Sequence, residues 1–67
     1  MNTTEKEIWM TPEEAADYLK VHVSTIYRYI ADEDQPLPSF KISRNAIRIK
    51  KSDIDAWILK RGDKNEN

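Results

Sequence analysis

The side chains best suited to chemistry in this sequence lie close together in its first half. They carry two aliphatic hydroxyls, two phenols and one guanidinium, on Ser24, Thr25, Tyr27, Arg28 and Tyr29. Such groups hydrogen-bond to phosphate oxygens, and a guanidinium also pairs with the edge of a guanine base. A helix face that only met solvent would more usually carry Glu and Lys. The segment therefore indicates contacts with nucleic acid.

A second group of candidate contacts lies in a basic segment. Residues 39–52 hold five basic side chains and no acidic one, although the net charge of the whole chain is −1. Four of them fall where a hairpin is predicted, namely Lys41, Arg44, Arg48 and Lys50. A basic face that is merely solvated remains the alternative. Beside a candidate recognition helix, we interpret the segment as a phosphate-binding surface.

Length and composition argue against several other classes of protein. The 67 residues allow one domain with one small core, and the absence of cysteine excludes disulfides and thiolate metal sites. One histidine and one glycine leave neither a His-Glu-x-x-His zinc motif nor a glycine-rich phosphate loop. We therefore expect no enzyme activity, cofactor or metal. Without a membrane-spanning run or a signal peptide, we expect a cytoplasmic protein.

A first short helix is predicted from its start signals. Thr11 is a capping residue, Pro12 suits the first helical position, and Glu14 completes a capping box. Its buried stripe is predicted to consist of Ala15, Ala16 and Leu19.

A second helix, over about 22–31, is predicted to follow a turn at 20–23. Ile26 and Ile30 are four residues apart and point inward together. The spacing allows either Ser24 or His22 as the cap. His22 is interpreted as a turn or cap residue, with a pH-sensitive phosphate contact as the alternative.

Residues 31–38 are predicted to be a loop, whose acidic run at 32–34 we interpret as solvated. Residues 39–51 predict a β-hairpin that turns at 43–46, with Asn45 able to adopt a left-handed conformation. Alternation places Phe40 and Ile42 on an apolar face against the helices. The basic side chains then occupy the opposite face, which makes the hairpin a wing.

A third helix is predicted from a cap at Ser52, with Asp55 in capping-box spacing, to a stop at Gly62. Its buried stripe is Ile54, Trp57 and Ile58, and residues 8–10 suggest a stub of strand. Residues 8–61 then form the domain, between disordered tails at 1–7 and 62–67. The predicted class is α+β and mostly helical: a small winged helix-turn-helix with three helices and one two-stranded β-hairpin wing.

This order of elements resembles the excisionase-like branch of the MerR-type winged helix-turn-helix superfamily. Within that branch it is most similar to AlpA-type phage and prophage regulators. The resemblance covers roughly residues 10–60 and rests on STIYR at 24–28, PLP at 36–38, KISR at 41–44 and AIRIKKSDIDAWI at 46–58. The chain departs from the family in its acidic loop, and at Lys20 and Ser43, where relatives often carry glycine.

The resemblance implies a small protein of mobile elements that binds double-stranded DNA. Such proteins act as transcriptional regulators, as recombination directionality factors, or as both. The second helix would enter the major groove, and the hairpin would contact the backbone or the minor groove. The recognition positions then fall on Ser24, Thr25, Tyr27 and Arg28, with Tyr29 beside them, and the wing positions on Lys41, Arg44 and Arg48. Further copies on adjacent sites, or an integrase, are the other expected partners.

Two alternatives remain open. One is a protein-interaction module that uses an acidic face around Glu13, Asp17 and residues 32–34, with a vestigial DNA surface. The other is single-stranded nucleic-acid binding through stacking of bases on Tyr27 and Tyr29.

Overall fold

A computed structural model of the chain describes residues 6–65, with side chains described as far as Gly62. Six elements follow one another: β1 (Trp9–Met10), α1 (Pro12–Leu19), α2 (Val23–Ile30), β2 (Phe40–Ser43), β3 (Ala46–Lys50) and α3 (Lys51–Asn65). The strands form an antiparallel sheet in the order β1-β3-β2. The predicted α+β class is confirmed, and the predicted stub of strand adds a third strand to the hairpin. Within the described residues, no helix is long and apolar enough to cross a membrane.

The start of α1 follows the predicted capping box. The side-chain oxygen of Thr11 accepts from the backbone N–H of Glu14 at 3.1 Å, and the Glu14 carboxylate accepts from the N–H of Thr11 at 2.9 Å. Pro12 occupies the first turn, where its missing N–H leaves no bond unmade. These contacts satisfy backbone donors that the helix itself cannot pair.

The end of α1 is set by Lys20, whose φ of 60° and ψ of 44° are left-handed. This conformation turns the chain toward α2, and the N–H of Lys20 bonds back to Asp17 at 3.2 Å. A side chain costs roughly 1–2 kcal/mol in this region, and glycine avoids that cost. The requirement explains why a small residue suits this turn.

We expect Lys20→Gly to stabilise the fold by about 1 kcal/mol, since it removes the left-handed penalty at an exposed position. Lys20→Ala keeps the Cβ atom and should leave stability almost unchanged. Urea unfolding followed by circular dichroism would measure both variants. A Lys20→Gly variant no more stable than Lys20→Ala would contradict the explanation.

His22 caps α2, which decides between the two predicted candidates. Its Nδ1 atom accepts from the backbone N–H of Ser24 at 3.1 Å, and the Ser24 hydroxyl lies 3.0 Å from the same atom. Ser24 is therefore inside the helix. Because Nδ1 is committed to the cap, only Nε2 could reach a phosphate.

The core joins the inner face of the sheet to all three helices. Its buried members are Ala15, Ala16, Ile26, Leu37, Ile49, Ile54 and Trp57. The predicted inward stripes of the helices are confirmed, since their remaining members, Leu19, Ile30 and Ile58, are partly buried and pack against this set. Leu37 was not anticipated: it is buried between two exposed prolines, and its N–H donates to the carbonyl of Tyr29 at 3.0 Å. The proline loop thus contributes to the core.

The predicted inner face of β2 is wrong. Phe40 pairs with Arg48 and Lys41 pairs with Ile47. Directly opposite residues share a face, so Phe40 lies on the outer face and Lys41 on the inner one. Phe40 and Ile42 are 43% and 59% exposed. A register offset of one residue exchanges the two faces of a strand.

Two physical reasons account for this difference. The central strand β3 fills the core with Ile49 and part of Ile47, so the edge strand β2 has little left to cover. The register of β2 also shifts between Lys41 and Ser43, which disturbs simple alternation. The predicted left-handed Asn45 is wrong as well, since Lys20 alone among the described non-glycine residues has a positive φ.

Both predicted ends of α3 need correction. The helix begins at Lys51 and continues to Asn65. Ser52 is not its cap, because the Ser52 hydroxyl donates to the Glu7 carboxylate at 3.0 Å. Asp55 accepts from the Tyr18 hydroxyl at 2.5 Å and from Lys51 Nζ at 3.2 Å instead of closing a capping box.

The predicted tails meet the structure only in part. Gly62 has no positive φ and lies within α3, so part of the predicted C-terminal tail is helical. A glycine ends a helix when the chain turns left-handed there, which it does not do here. Residues 1–5 and 66–67 of the predicted tails lie outside the described residues.

Candidate nucleic-acid interface

The outward face of α2 carries the side chains that the sequence singled out first. Ser24, Tyr27 and Arg28 are exposed, and their spacing of three and four residues places them on one side of the helix. Ile26 is fully buried on the other side. The Tyr27 and Arg28 side chains make no hydrogen bond or ion pair to another described residue. Their polar groups are therefore available to a ligand.

Thr25 and Tyr29 occupy less open positions. Thr25 is partly buried at the border of the outward face. Tyr29 lies three residues after Ile26, and its ring packs against Trp57 with the centroids 4.8 Å apart. The Arg61 guanidinium lies 4.8 Å from the centre of the Tyr29 ring. Tyr29 thus lies on a different side of α2 from Tyr27 and Arg28. The three-residue spacing between Ile26 and Tyr29 could have predicted this from the sequence.

The predicted wing residues divide between two faces of the hairpin. Arg44 is exposed in the turn between β2 and β3, and Lys41 is exposed on the inner face of β2. Arg48 and Lys50 lie on the outer face of β3 and are partly buried. Arg48 donates to the carbonyl of Ile47 at 2.9 Å, which uses one of its five donors. The four basic side chains are therefore distributed over both faces and the turn of the hairpin instead of lying on one face.

Two aromatic side chains on the outer face were not predicted to lie there. Trp9 pairs across from Lys50, and the Trp9 and Phe40 rings meet edge to face at 5.5 Å. Lys50 Nζ lies 5.8 Å from the Trp9 ring and 5.6 Å from the Phe40 ring. This arrangement restrains the Lys50 ammonium. A two-residue strand gives too short a pattern for its partner to be inferred from sequence.

The loop after α2 is fixed by an anchor that the sequence interpretation missed. Asp32 accepts from the N–H groups of Asp34 at 2.8 Å and Gln35 at 3.4 Å, and from Arg61 Nη1 at 3.3 Å. The Trp57 Nε1–H donates to the Gln35 carbonyl at 2.8 Å. The interpretation of 32–34 as a solvated run is thus wrong for Asp32. The loop instead ties the end of α2 to α3.

These contacts make the stability of the loop depend on pH. The N–H groups of Asp34 and Gln35 lower the pKa of Asp32 from its usual 3.8. Desolvation opposes them, and Arg61 lowers the pKa further. A carboxyl with a lowered folded pKa stabilises the fold above its unfolded pKa. That stabilisation disappears as the pH falls through the folded pKa, below 3.8.

We expect Asp32→Asn to lower the melting temperature near neutral pH. The difference from the parent should shrink as the pH falls below about 4, where Asp32 itself becomes neutral. Thermal unfolding followed by circular dichroism over this range would measure the effect. Glu33→Gln in the same loop is the matched control, since Glu33 is exposed and has no such contacts. A difference that is constant with pH would contradict a role for the charge of Asp32.

The described residues contain no group of three or more His, Cys, Asp or Glu side chains arranged to hold a metal ion.

Comparison with known proteins identifies the domain that these elements build. A family model described as a helix-turn-helix domain matches residues 9–62. The match begins at the first residue of β1 and ends within α3, so it includes both the outward face of α2 and the hairpin. No curated protein and no solved structure gave a significant match.

Proposed function

Since the chain belongs to the excisionase-like helix-turn-helix family, whose domains bind DNA, we propose that it reads double-stranded DNA with sequence selectivity. In this proposal it is a small regulator of a mobile element or phage. It would act as a transcriptional regulator, as a recombination directionality factor, or as both.

The observation that carries this proposal is the outward face of α2. Arg28 and Tyr27 are exposed and unpaired there, beside a fully buried Ile26 that fixes the helix on the core. An α-helix fits the major groove, where a guanidinium can donate two hydrogen bonds to guanine O6 and N7. Arg28 is accordingly assigned to base readout. Ser24, Thr25 and the Tyr27 hydroxyl are assigned to phosphates, which set the register on the duplex.

The hairpin is proposed as the wing, with Arg44 at its tip. Lys41 and Arg48 lie on opposite faces of the hairpin. A hairpin tip inserted between the two phosphate backbones would therefore present one basic side chain to each DNA strand. Lys50 lies nearer the aromatic pair of the sheet and is assigned a phosphate farther from the tip. Tyr29 is assigned to packing, because its ring already packs against Trp57 and the Arg61 guanidinium.

The small size of the unit suggests that it does not act alone. One recognition helix and one wing cover a short site, so useful selectivity requires adjacent copies or a partner such as an integrase. Footprinting on a natural target should then show protection that extends cooperatively from one site to the next. Protection that saturates at one isolated site would contradict assembly on adjacent sites.

The proposal is tested first by an ¹⁵N-HSQC titration with a mixed-sequence duplex of about 20 base pairs. Amide shifts should concentrate in residues 22–29 and 41–50 and weaken with added salt. If about five phosphates are neutralised, a plot of log affinity against log salt should have a slope of about −4 to −5. A spectrum that does not change even at low salt would contradict duplex binding. The protein-interaction hypothesis would then take first place. Equal competition by single strands would favour the stacking alternative.

A further inference from the structure

An apolar groove runs between β1 and α1, and none of the side chains proposed to contact DNA lines it. Its volume is about 490 Å³, and Ile8, Trp9, Met10 and Tyr18 line it together with acidic residues of α1. Ile8, Trp9 and Tyr18 are 51%, 48% and 40% exposed. Three large side chains so open to water on one small domain mark a surface that favours a partner. We call it the β1–α1 groove.

Among residues 6–65, no strand pairs with the outer edge of β1 beside this groove. Strand β1 pairs only with β3, and the N–H of Lys51 donates to the carbonyl of Ile8 at 2.9 Å. In an antiparallel pair the residues that bond to the neighbour alternate with residues whose polar groups point away. Trp9 follows Ile8, so its N–H and C=O are directed to the free edge. An extended chain could pair with them there.

Carboxylates form the rim of the groove. Glu13 and Asp17 lie four residues apart on the exposed side of α1, about one helical turn. The ion pairs among the described residues are Lys51–Asp55 and Asp32–Arg61, so neither rim carboxylate has a cation. Glu14 differs, because its carboxylate is used in the capping box of α1. The rim thus presents two unpaired negative charges beside an apolar floor.

We propose that the β1–α1 groove binds an extended basic peptide segment of a partner protein. Alternate side chains of such a segment point to opposite sides. Those that point toward α1 are two residues apart: apolar ones among them would pack on Ile8 and Tyr18, and lysine or arginine ones would pair with Glu13 and Asp17. The backbone would bond to the open edge at Trp9, a mode of recognition that adds a strand to a sheet.

The charge of the rim identifies the class of partner. Carboxylates repel phosphates, so Glu13 and Asp17 disfavour nucleic acid and favour a cationic protein segment. The proposal goes beyond DNA binding and does not depend on it.

The test uses a defined probe. A six-residue peptide, acetylated and amidated, carries lysine, leucine and lysine at its first, third and fifth positions and serine at the others. It is titrated into the full ¹⁵N-labelled chain without DNA. Amide shifts should concentrate in residues 8–10 and 13–18. A peptide with glutamate in place of lysine should give no shifts.

Two double variants test the role of the rim charges, and a third variant tests the apolar floor of the groove. Glu13→Gln with Asp17→Asn should weaken binding of the lysine peptide about tenfold, as two exposed ion pairs are lost. The control variant, Glu33→Gln with Asp53→Asn, removes the same number of negative charges away from the groove. Asp53 lies in the first turn of α3, as Glu13 does in α1. The control should change binding by less than about twofold. Ile8→Ala should weaken binding without unfolding the chain, since the Ile8 side chain is largely exposed.

Other outcomes would overturn the proposal. Equal weakening by the two charge pairs, or an unchanged affinity of Ile8→Ala, would show non-specific attraction by negative charge. An absence of shifts at millimolar peptide would remove the peptide site. Concentration-dependent shifts in the groove without peptide would identify a second copy of this chain as its occupant. A normal DNA titration alongside any of these results would leave the proposed function intact.

Discussion

Arg28→Ala is expected to weaken binding to a selected duplex by about 5- to 150-fold while the protein remains folded. A good bidentate contact between arginine and guanine contributes about 1–3 kcal/mol of discrimination, which corresponds to this range. The folded state should change little, because the Arg28 side chain is exposed and makes no hydrogen bond, ion pair or cation–π contact with another described residue. The measurement is a fluorescence-anisotropy titration with a duplex selected from a random library, beside thermal unfolding of both proteins.

Arg28→Lys separates reading of the base from attraction of the phosphate. Lysine keeps the charge but loses the planar fork that makes two parallel hydrogen bonds. Affinity for non-selected DNA should therefore persist in Arg28→Lys, while the preference for the selected duplex falls. Lys60→Ala, an exposed cation on α3, is the matched control and should leave both affinities nearly unchanged. An Arg28→Lys variant that retains full preference would assign Arg28 to the backbone instead.

The helices were predictable because their signals are local. The capping box of α1 uses Thr11 and Glu14 within one turn, and the inward position of Ile26 follows from helical spacing. The outward face of α2 follows from the same geometry, so the candidate recognition residues Tyr27 and Arg28 were located correctly on the helix surface. Helical periodicity needs no knowledge of distant parts of the chain.

The sheet was less predictable because its faces depend on partners far away in the sequence. Alternation in β2 is the same whichever face is inside, and only the pairing of Phe40 with Arg48 decides between them. Trp9 is about 40 residues from Lys50, its partner in the sheet. Position in the sheet also mattered: the central strand carries Ile49 into the core, while the edge strand stays exposed.

The loop at residues 31–38 was also hard to predict, because its contacts are with residues distant in the sequence. Its acidic composition suggested simple solvation, but Asp32 meets Arg61 from a helix that begins 19 residues later. Tyr29 likewise combines an aromatic side chain that suits DNA with a position on the inward stripe, and Trp57 decides its role. Such contacts hold the end of the recognition helix against α3. In the proposed complex, the placement of Arg28 on DNA would therefore rest on packing around Trp57.

Trp57→Ala is expected to cost about 3–5 kcal/mol of folding free energy, the usual range for removing a buried aromatic side chain. Trp57 is buried, packs on Tyr29, lies 5.1 Å from the Arg61 guanidinium and donates to the Gln35 carbonyl. A domain of this size has about 3–10 kcal/mol of stability in total. Trp57→Ala should therefore be largely or partly unfolded at 25 °C, as circular dichroism and urea unfolding would show.

Two further variants make this prediction specific. Trp57→Phe keeps a ring against Tyr29 but loses the hydrogen bond to Gln35, so it should lose about 1–2 kcal/mol and remain folded. Leu59→Ala, on the exposed side of the same helix, should stay within about 0.5 kcal/mol of the parent. If Trp57→Ala were as stable as Leu59→Ala, the contacts of Trp57 with Tyr29 and the Gln35 carbonyl would not stabilise the fold. If Trp57→Phe lost stability but kept its DNA affinity at low temperature, Trp57 would act by holding α2 in place and not by touching DNA.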